Sequence, residues 1–226
     1  LARFSDHVAI HFPATRNYLK HAAIVVTGMP LRREIVPRKD RNFAGGGSFT
    51  ILVMGGSQGA HCINDIASQA MATLHRAGFP VRVIHLTGFA DEAIVRQAYA
   101  AAGVQAEVHG FLRDMQSAYH AADFAVSRSG AASCAELAAQ GLPALLIPYP
   151  AAARDHQTAN ALALQAAGAA DIIPQAELTV KWLTDHIERI SKDSGRLSAM
   201  HDAGLRFGLP HGTRNLADLV ESRGCQ

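Results

Sequence analysis

Residues Ser127–Pro150 read "SRSGAASCAELAAQGLPALLIPYP". The stretch overlaps one apolar run, "DFAVSR" (123–128), and contains a second, "PALLIP" (143–148), with a Ser/Gly/Ala turn and a short helical segment between them. Two apolar strands joined through a helix pair side by side in the same direction, because antiparallel strands need no such crossover. Neither strand alternates apolar with polar, so both faces of the sheet are expected to be covered. One carboxylate, Glu136, follows the bare turn.

The same rhythm extends in both directions. Strand-like runs stand at "FTILVM", "VRVIHL", "AEVHGF", "DFAVSR", "PALLIP" and "AADIIP". Helical segments are predicted between them at 63–76, 91–102, 115–122, 133–140 and 158–167. Alternation of this kind predicts an α/β fold: a Rossmann-like, doubly wound parallel sheet with right-handed crossovers. The tail from Leu178 is mostly helical in pattern, broken at 208–212. Residues 1–33 differ, with two short strand-like runs, "HVAIHFP" and "AAIVVTG", ahead of a Pro-rich, charged stretch. Residues 34–48, ending in "RKDRNFAGGGS", are polar and Gly-rich and read as a linker. The expected division is therefore 1–33, a linker at 34–48, and a domain over 49–226. The chain opens on Leu1, which suits a fragment of a longer protein.

Composition narrows the function. At 226 residues with 49% apolar content, the chain is long enough for a sizeable core. A net charge of +2, with no basic run, argues against a nucleic-acid surface but leaves room for a small anion. Cys62, Cys134 and Cys225 lack metal-ligand spacing, and the twelve histidines form no HxH or HExxH pair, so neither metal nor cofactor is expected. Odd, unpaired thiols point to a reducing compartment. No apolar run approaches the roughly 18 residues of a membrane helix, and no signal peptide is evident.

Ligands of doubly wound sheets sit outside the carboxyl ends of the strands, which makes three loops candidates. "MGGSQGA" passes from strand to helix through Gly55, Gly56, Ser57, Gln58 and Gly59. It is either an ordinary tight turn or a cradle whose N–H groups and Ser57 hydroxyl hold a phosphate. It lacks the Lys of a P-loop and is not GxGxxG. "SRSGAAS" is a second loop of the type, its small residues leaving the helix N-terminus open. Glu136 either complements that helix dipole or accepts two hydrogen bonds from vicinal hydroxyls, as on a ribose. In "PYPAAARDHQTANA", Asp155 is expected to cap a helix beginning near Gln157. His156, Gln157 and Asn160 then project from its first turn, either as plain exposed polar residues or as readers of sugar hydroxyls.

Together, "GMPLR", "GGSQGA", "HLTG", "GFLRDMQSAYHAAD", "SRSGAASCAELAAQGLPALLIPYP" and "DHQTANA" resemble the MurG family, the UDP-N-acetylglucosamine transferases of peptidoglycan synthesis. The words occur in the family's order over about residues 25–175. The resemblance implies the carboxyl-terminal domain of a two-domain GT-B glycosyltransferase, with 1–33 a remnant of the amino-terminal acceptor domain. It implies that Arg32 reaches the nucleotide from the interdomain edge and that Ser57 contacts the diphosphate. Leu112 would present its backbone to uracil. Ala131, Ala132, Ser133, Cys134, Ala135 and Glu136 would form the phosphate and ribose clamp, with Glu136 on the ribose. Gln157 with Asn160 would read the N-acetylglucosamine hydroxyls. Departures from the family pattern flank the sugar: Met29 replaces an Asn, while Ala151 and Arg154 stand where His and acidic residues are common.

The implied reaction is an inverting transfer of N-acetylglucosamine from UDP-N-acetylglucosamine to the 4-hydroxyl of the undecaprenyl-pyrophosphoryl-linked muramoyl-pentapeptide. The implied place is the inner face of a bacterial cell membrane. The family's Gly-rich loop with its acceptor-activating His has no match in residues 1–48, so no catalytic residue is expected here. The chain alone is expected to bind UDP without transferring sugar, lipid acceptor and membrane contact belonging to the other domain. Three rivals remain: the nucleotide-binding half of a two-subunit transferase, a UDP-N-acetylglucosamine 2-epimerase, and a catalytically silent UDP-binding module.

Overall fold

The computed structural model describes residues 5–20, 23–43, 47–56, 60–209 and 211–224. In chain order the strands are β1 (Val8–Ile10), β2 (Ile24–Val26), β3 (Phe49–Met54), β4 (Val81–Leu86), β5 (Gln105–His109), β6 (Phe124–Ser127), β7 (Ala144–Leu146) and β8 (Ala170–Ile172). The helices are α1 (His61–Arg76), α2 (Glu92–Ala102), α3 (Met115–Ala121), α4 (Ala131–Gln140), α5 (His156–Ala166), α6 (Val180–Ser191), α7 (Ser194–Phe207) and α8 (Gly212–Gly224).

β3 to β8 form one sheet, parallel throughout, in the order β5-β4-β3-β6-β7-β8. Counted from β3 this is the doubly wound order 3-2-1-4-5-6. The expected fold is the observed one, and over residues 49–174 each predicted strand and helix is present within a residue or two of its expected bounds. The apolar strands behave as period-2 elements buried on both sides. Ile51 and Val53 of β3, with Phe124 and Val126 of β6, enter a core beneath α1, α2 and α6. Leu52 and Met54, with Ala125, enter the opposite core beneath α3, α4 and α5.

β1 and β2 pair in parallel as a separate two-stranded sheet. α8 returns to this region, where Asn215 Nδ2 donates to Thr27 O (3.0 Å) and the Thr213 hydroxyl to Leu31 O (3.1 Å).

The stretch read as a linker differs from expectation over 35–43. It is a strap held to the sheet domain. Ile35 is buried in the second core. The Gln116 amide exchanges two hydrogen bonds with the Val36 backbone, both 3.1 Å, and Gln140 Nε2 donates to Val36 O (2.8 Å). Arg41 is buried and donates to the carbonyls of Ala122 and Tyr119. Polarity in the sequence suggested solvation, but here polar side chains serve main-chain groups of α3 and the strap itself. The Gly-rich residues 44–46 lie outside the described residues.

α4, which carries Glu136, lies close against α7. A Cβ on Gly208 would stand 2.8 Å from Ala138 C and Ala139 N, inside backbone contact distance. Gly208 has φ −63° and ψ 139°, so an alanine there meets a steric rather than a conformational obstacle. Gly208→Ala is expected to cost about 1–3 kcal/mol through overpacking. Gly47→Ala, where a Cβ meets nothing within 4 Å, should be near neutral. Urea unfolding of the two variants beside the parent checks this; equal midpoints would show that α4 and α7 can separate freely.

Candidate functional site

The strand order reverses between β3 and β6, which pair in register from Ile51↔Phe124 to Met54↔Ser127. Their carboxyl ends therefore stand side by side and feed helices on opposite faces, opening a crevice at the switch point. From β3 the chain leaves through Gly55 and Gly56; Gly56 takes φ +89°, which side chains disfavour. Ser57, with Gln58 and Gly59, lies outside the described residues.

From β6 the chain leaves through Arg128, Ser129 and Gly130 into α4. Gly130 is the N-cap, no side chain caps the helix, and a Cβ on Gly130 would meet nothing within 4 Å. Ala131 and Ala132 are exposed and Ser133 half-buried, so the first turn faces open space with its N–H groups forward. Cys134 and Ala135 turn into the core, and Cys134 N–H donates to Gly130 O (2.9 Å). Of the six residues of the expected clamp, Ala131, Ala132, Ser133 and Glu136 are thus exposed or half-buried, whereas Cys134 and Ala135 are buried. Burial raises the Cys134 thiol to about 12, leaving it an inert packing group.

Glu136 lies beyond the first turn, which contains no acid, so complementing the helix dipole is not its role. Its side chain is 13% exposed at the rim. Tyr119 of α3 donates its hydroxyl to Oε2 (2.7 Å), and Arg32 Nη2 lies 3.3 Å from Oε1 and 3.4 Å from Oε2. Burial, reinforced by the carboxylate beside it, holds the Tyr119 phenol well above its ordinary range, so it remains a donor. Leu112, in the loop after β5, is half-buried against the second core. Arg32 lines a cavity of about 450 Å³ next to that loop, with Ile35, Arg113 and Met115.

The third loop is organised differently from expectation. Asp155 does occupy the N-cap position of α5, but its carboxylate accepts from the Thr158 hydroxyl (2.6 Å) and caps no backbone N–H. Its φ of +52° is the only positive value at a non-glycine among the described residues. Such a conformation is tolerated by Asp and worth noting where a loop meets a site. His156 is exposed and bonded to Ala153 O. Gln157 is half-buried, its Oε1 accepting from Tyr149 N (3.0 Å). Asn160 does not project with it: it is buried, and its Nδ2 donates to Ser129 O (3.0 Å), bracing the loop that opens α4. Met29 is half-buried and Ala151 exposed, while the Arg154 side chain lies outside the described residues.

Several contributors escaped the sequence reading. Arg128, buried in the middle of "SRSGA", donates to Ile147 O and Pro148 O (both 3.2 Å) and lies 5.3 Å from the Tyr149 ring, tying the loops after β6 and β7 together. Tyr119 stood within a recognised word, and its place among the core-facing residues of α3 was the available signal. Behind the first glycine loop runs a buried polar chain. The Tyr99 hydroxyl meets His85 Nδ1 (2.9 Å), His85 Nε2 meets Asn64 Oδ1 (3.1 Å), and Asn64 Nδ2 donates to Asp91 Oδ2 and Thr87 O (both 2.8 Å). The Asn64 bond keeps Asp91 below the usual carboxylate range. No group of three or more His, Cys, Asp or Glu side chains is arranged to hold a metal among the described residues. Among them, too, no helix is long and apolar enough to cross a membrane.

Comparison with known proteins agrees with this fold. The profile of the glycosyltransferase family 28 C-terminal domain matches residues 50–216. A protein of Solibacter usitatus named UDP-N-acetylglucosamine--N-acetylmuramyl-(pentapeptide) pyrophosphoryl-undecaprenol N-acetylglucosamine transferase is 39% identical over 98% of this chain, which spans 60% of that protein. The Hahella chejuensis protein of the same name is 40% identical over 96% of the chain, again spanning 60% of the relative. The crystal structure of Acinetobacter baumannii MurG superposes with a TM-score of 0.79 at 29% identity, over 97% of this chain and 62% of that one. The calicheamicin glycosyltransferase CalG4 shares the fold at a TM-score of 0.63 and 17% identity, over 96% of this chain and 52% of that one.

The buried histidines give the domain a defined acid sensitivity. Burial lowers His85 to about 3 and His186 to about 4, against an ordinary value of 6.5. Between those values the unfolded chain binds the proton and the folded chain does not, so stability rises with pH and is lost as pH falls below about 6.5. From pH 7 to pH 5 each histidine should remove on the order of 1–2 kcal/mol. Urea unfolding at the two pH values checks this, and His85→Gln, which has nothing to titrate, should remove His85's share of the difference and leave that of His186. An unchanged parent midpoint would contradict it.

Proposed function

Because the chain belongs to the glycosyltransferase family 28 C-terminal domain, we propose that it is the donor half of an inverting UDP-N-acetylglucosamine transferase. The full reaction carries N-acetylglucosamine to the 4-hydroxyl of undecaprenyl-pyrophosphoryl-linked muramoyl-pentapeptide, in peptidoglycan synthesis. The chain spans about 60% of the length of the curated relatives it matches, and the acceptor site and the base that takes the acceptor proton are assigned to the remainder. Residues 1–33 are then the end of the acceptor domain, 34–48 the connection, and 49–226 the nucleotide domain. The enzyme would work as a peripheral protein on the inner face of the cell membrane, where its lipid-linked acceptor lies.

The observation that carries this reading is the meeting of two strand–helix junctions at the switch point, with Glu136 and Arg32 at the rim. A helix N-terminus offers unpaired N–H groups and the positive end of a dipole, each contact worth about 0.3–1 kcal/mol and up to ~2 when partly buried. The first turn of α4 would offer such donors to a diphosphate, and Ser57 of the glycine loop is assigned a further contact with it. As the bond from the anomeric carbon to UDP lengthens, negative charge grows on the β-phosphate; donors already aligned stabilise it without reorganisation. The acceptor oxygen attacks from the opposite face, which inverts the anomeric centre. Glu136 accepts the ribose hydroxyls, Leu112 offers its main chain to uracil, and Gln157 meets the sugar. Asn160 contributes at one remove, by fixing Ser129 at the mouth of α4.

Calorimetric titration tests the donor site directly. The chain is expected to bind UDP, and absence of heat at millimolar UDP with a folded sample rejects the reading. Glu136→Ala removes charge-assisted hydrogen bonds of about 1.5–3 kcal/mol each. It should weaken UDP at least tenfold without weakening pyrophosphate; equal affinity for UDP in variant and parent rejects the ribose role.

A further inference from the structure

Glu136 is held unequally by its two partners. The Tyr119 hydroxyl approaches Oε2 at 2.7 Å, whereas Arg32 stands at 3.3 and 3.4 Å from the two oxygens. The partners also differ in freedom. Tyr119 is 1% exposed, its ring lies in the core beneath α3 and α4, and its own carbonyl accepts from Arg41 Nη2 at 2.8 Å. The Arg32 side chain is 45% exposed at the end of a long flexible stem. An ionised carboxylate has about four acceptor positions. One is occupied by a buried, geometrically fixed donor, and the others face a loosely held guanidinium. Vicinal hydroxyls approaching from the crevice would meet that second side.

We infer that Tyr119 is a positioning residue for ribose recognition: its hydroxyl anchors Glu136 through Oε2, while Arg32 is the exchangeable partner that a ribose diol replaces. This rests on the ribose role proposed above and adds how that role is prepared. A glutamate alone at a helix surface would sample several rotamers, and most would miss a diol. The buried phenol selects one of them before a ligand arrives, which is preorganisation by a neighbour that touches no substrate. On release from Glu136, Arg32 is free to turn toward the diphosphate. The two partners of one carboxylate thus have opposite roles, one permanent and one displaced.

The experiment compares UDP, 2′-deoxy-UDP and uridine by calorimetric titration of the parent chain, Tyr119→Phe and Arg32→Met. The parent should prefer UDP over 2′-deoxy-UDP by about tenfold, the value of one charge-assisted hydrogen bond. Tyr119→Phe should reduce that preference to about two- to threefold, weakening 2′-deoxy-UDP, which keeps only the 3′-hydroxyl for Glu136, less than UDP. A purely structural role would weaken both ligands alike. Retention of the parent's preference in a folded Tyr119→Phe variant overturns the inference. Arg32→Met tests the exchange independently, and does so even where the phenylalanine variant fails to fold. Uridine should bind more tightly because its competitor is gone, and UDP more weakly; uridine binding that is unchanged or weaker overturns the exchange. A parent that binds no UDP overturns the donor-site reading itself. One that binds UDP and 2′-deoxy-UDP equally removes the ribose role. Each failure is thereby distinct.

Discussion

Parallel pairing of β3 with β6 is the constraint from which the site follows. Once Met54 stands opposite Ser127, the next residues of both strands leave the sheet at the same edge and level. Their helices pack on opposite faces, which leaves a crevice between the strand ends. Each helix then presents its uncompensated end to that space. The requirement for small residues at both junctions comes from this geometry. Side chains at Gly130, Ala131 or Ala132 larger than those present would stand in front of the N–H groups that make the crevice a polar one.

Holding that edge in shape takes a second set of interactions, and these are mostly hidden. Asn160 and Arg128 contribute no surface to the crevice in proportion to their hydrogen bonds. One secures Ser129, and the other secures the carbonyls of Ile147 and Pro148. The chain Tyr99–His85–Asn64–Asp91 does comparable work behind α1, linking β4, α1 and the start of α2. Every interior link has a matched donor and acceptor, so the network can be buried at little cost. Its charge state is what acid attacks, because burial disfavours a protonated His85.

The sheet, its helices and the three loops were legible because they depend on local patterns. Apolar runs of four to six residues, separated by glycine or proline, can be buried on both faces only in a covered parallel sheet. Glu136 was legible as the one acid after a bare turn. Side-chain direction was not legible. Gln157 and Asn160 are three residues apart and were placed on one face, yet Asn160 enters the interior while Gln157 stays at the surface. Asp155 has the composition of a cap, but a left-handed backbone turns its carboxylate toward Thr158 instead. The packing of the strap was illegible for a related reason. Polar residues that pair with main-chain groups on a distant helix look the same in sequence as polar residues in water, and Gln116 and Gln140 lie about eighty and a hundred residues from their partner Val36.

The strap also lies against the helices that carry Tyr119 and Glu136. Arg32 lies only three residues before Ile35, whose side chain is buried in the core. Val36 is bonded to Gln116 of α3 and Gln140 of α4, the two helices that supply Tyr119 and Glu136. Immediately upstream, Thr27 and Leu31 accept from α8. The segment that joins the β1–β2 sheet to the larger domain is therefore fixed at both ends, and between them Arg32 carries the ion pair to Glu136. A change in what Glu136 binds reaches this connection through one exposed arginine rather than through movement of the sheet. Recognition of a ligand at the carboxyl edge and the path of the chain between the two sheets are thus parts of one local arrangement. Residues 27–36 belong to the site as much as α4 does.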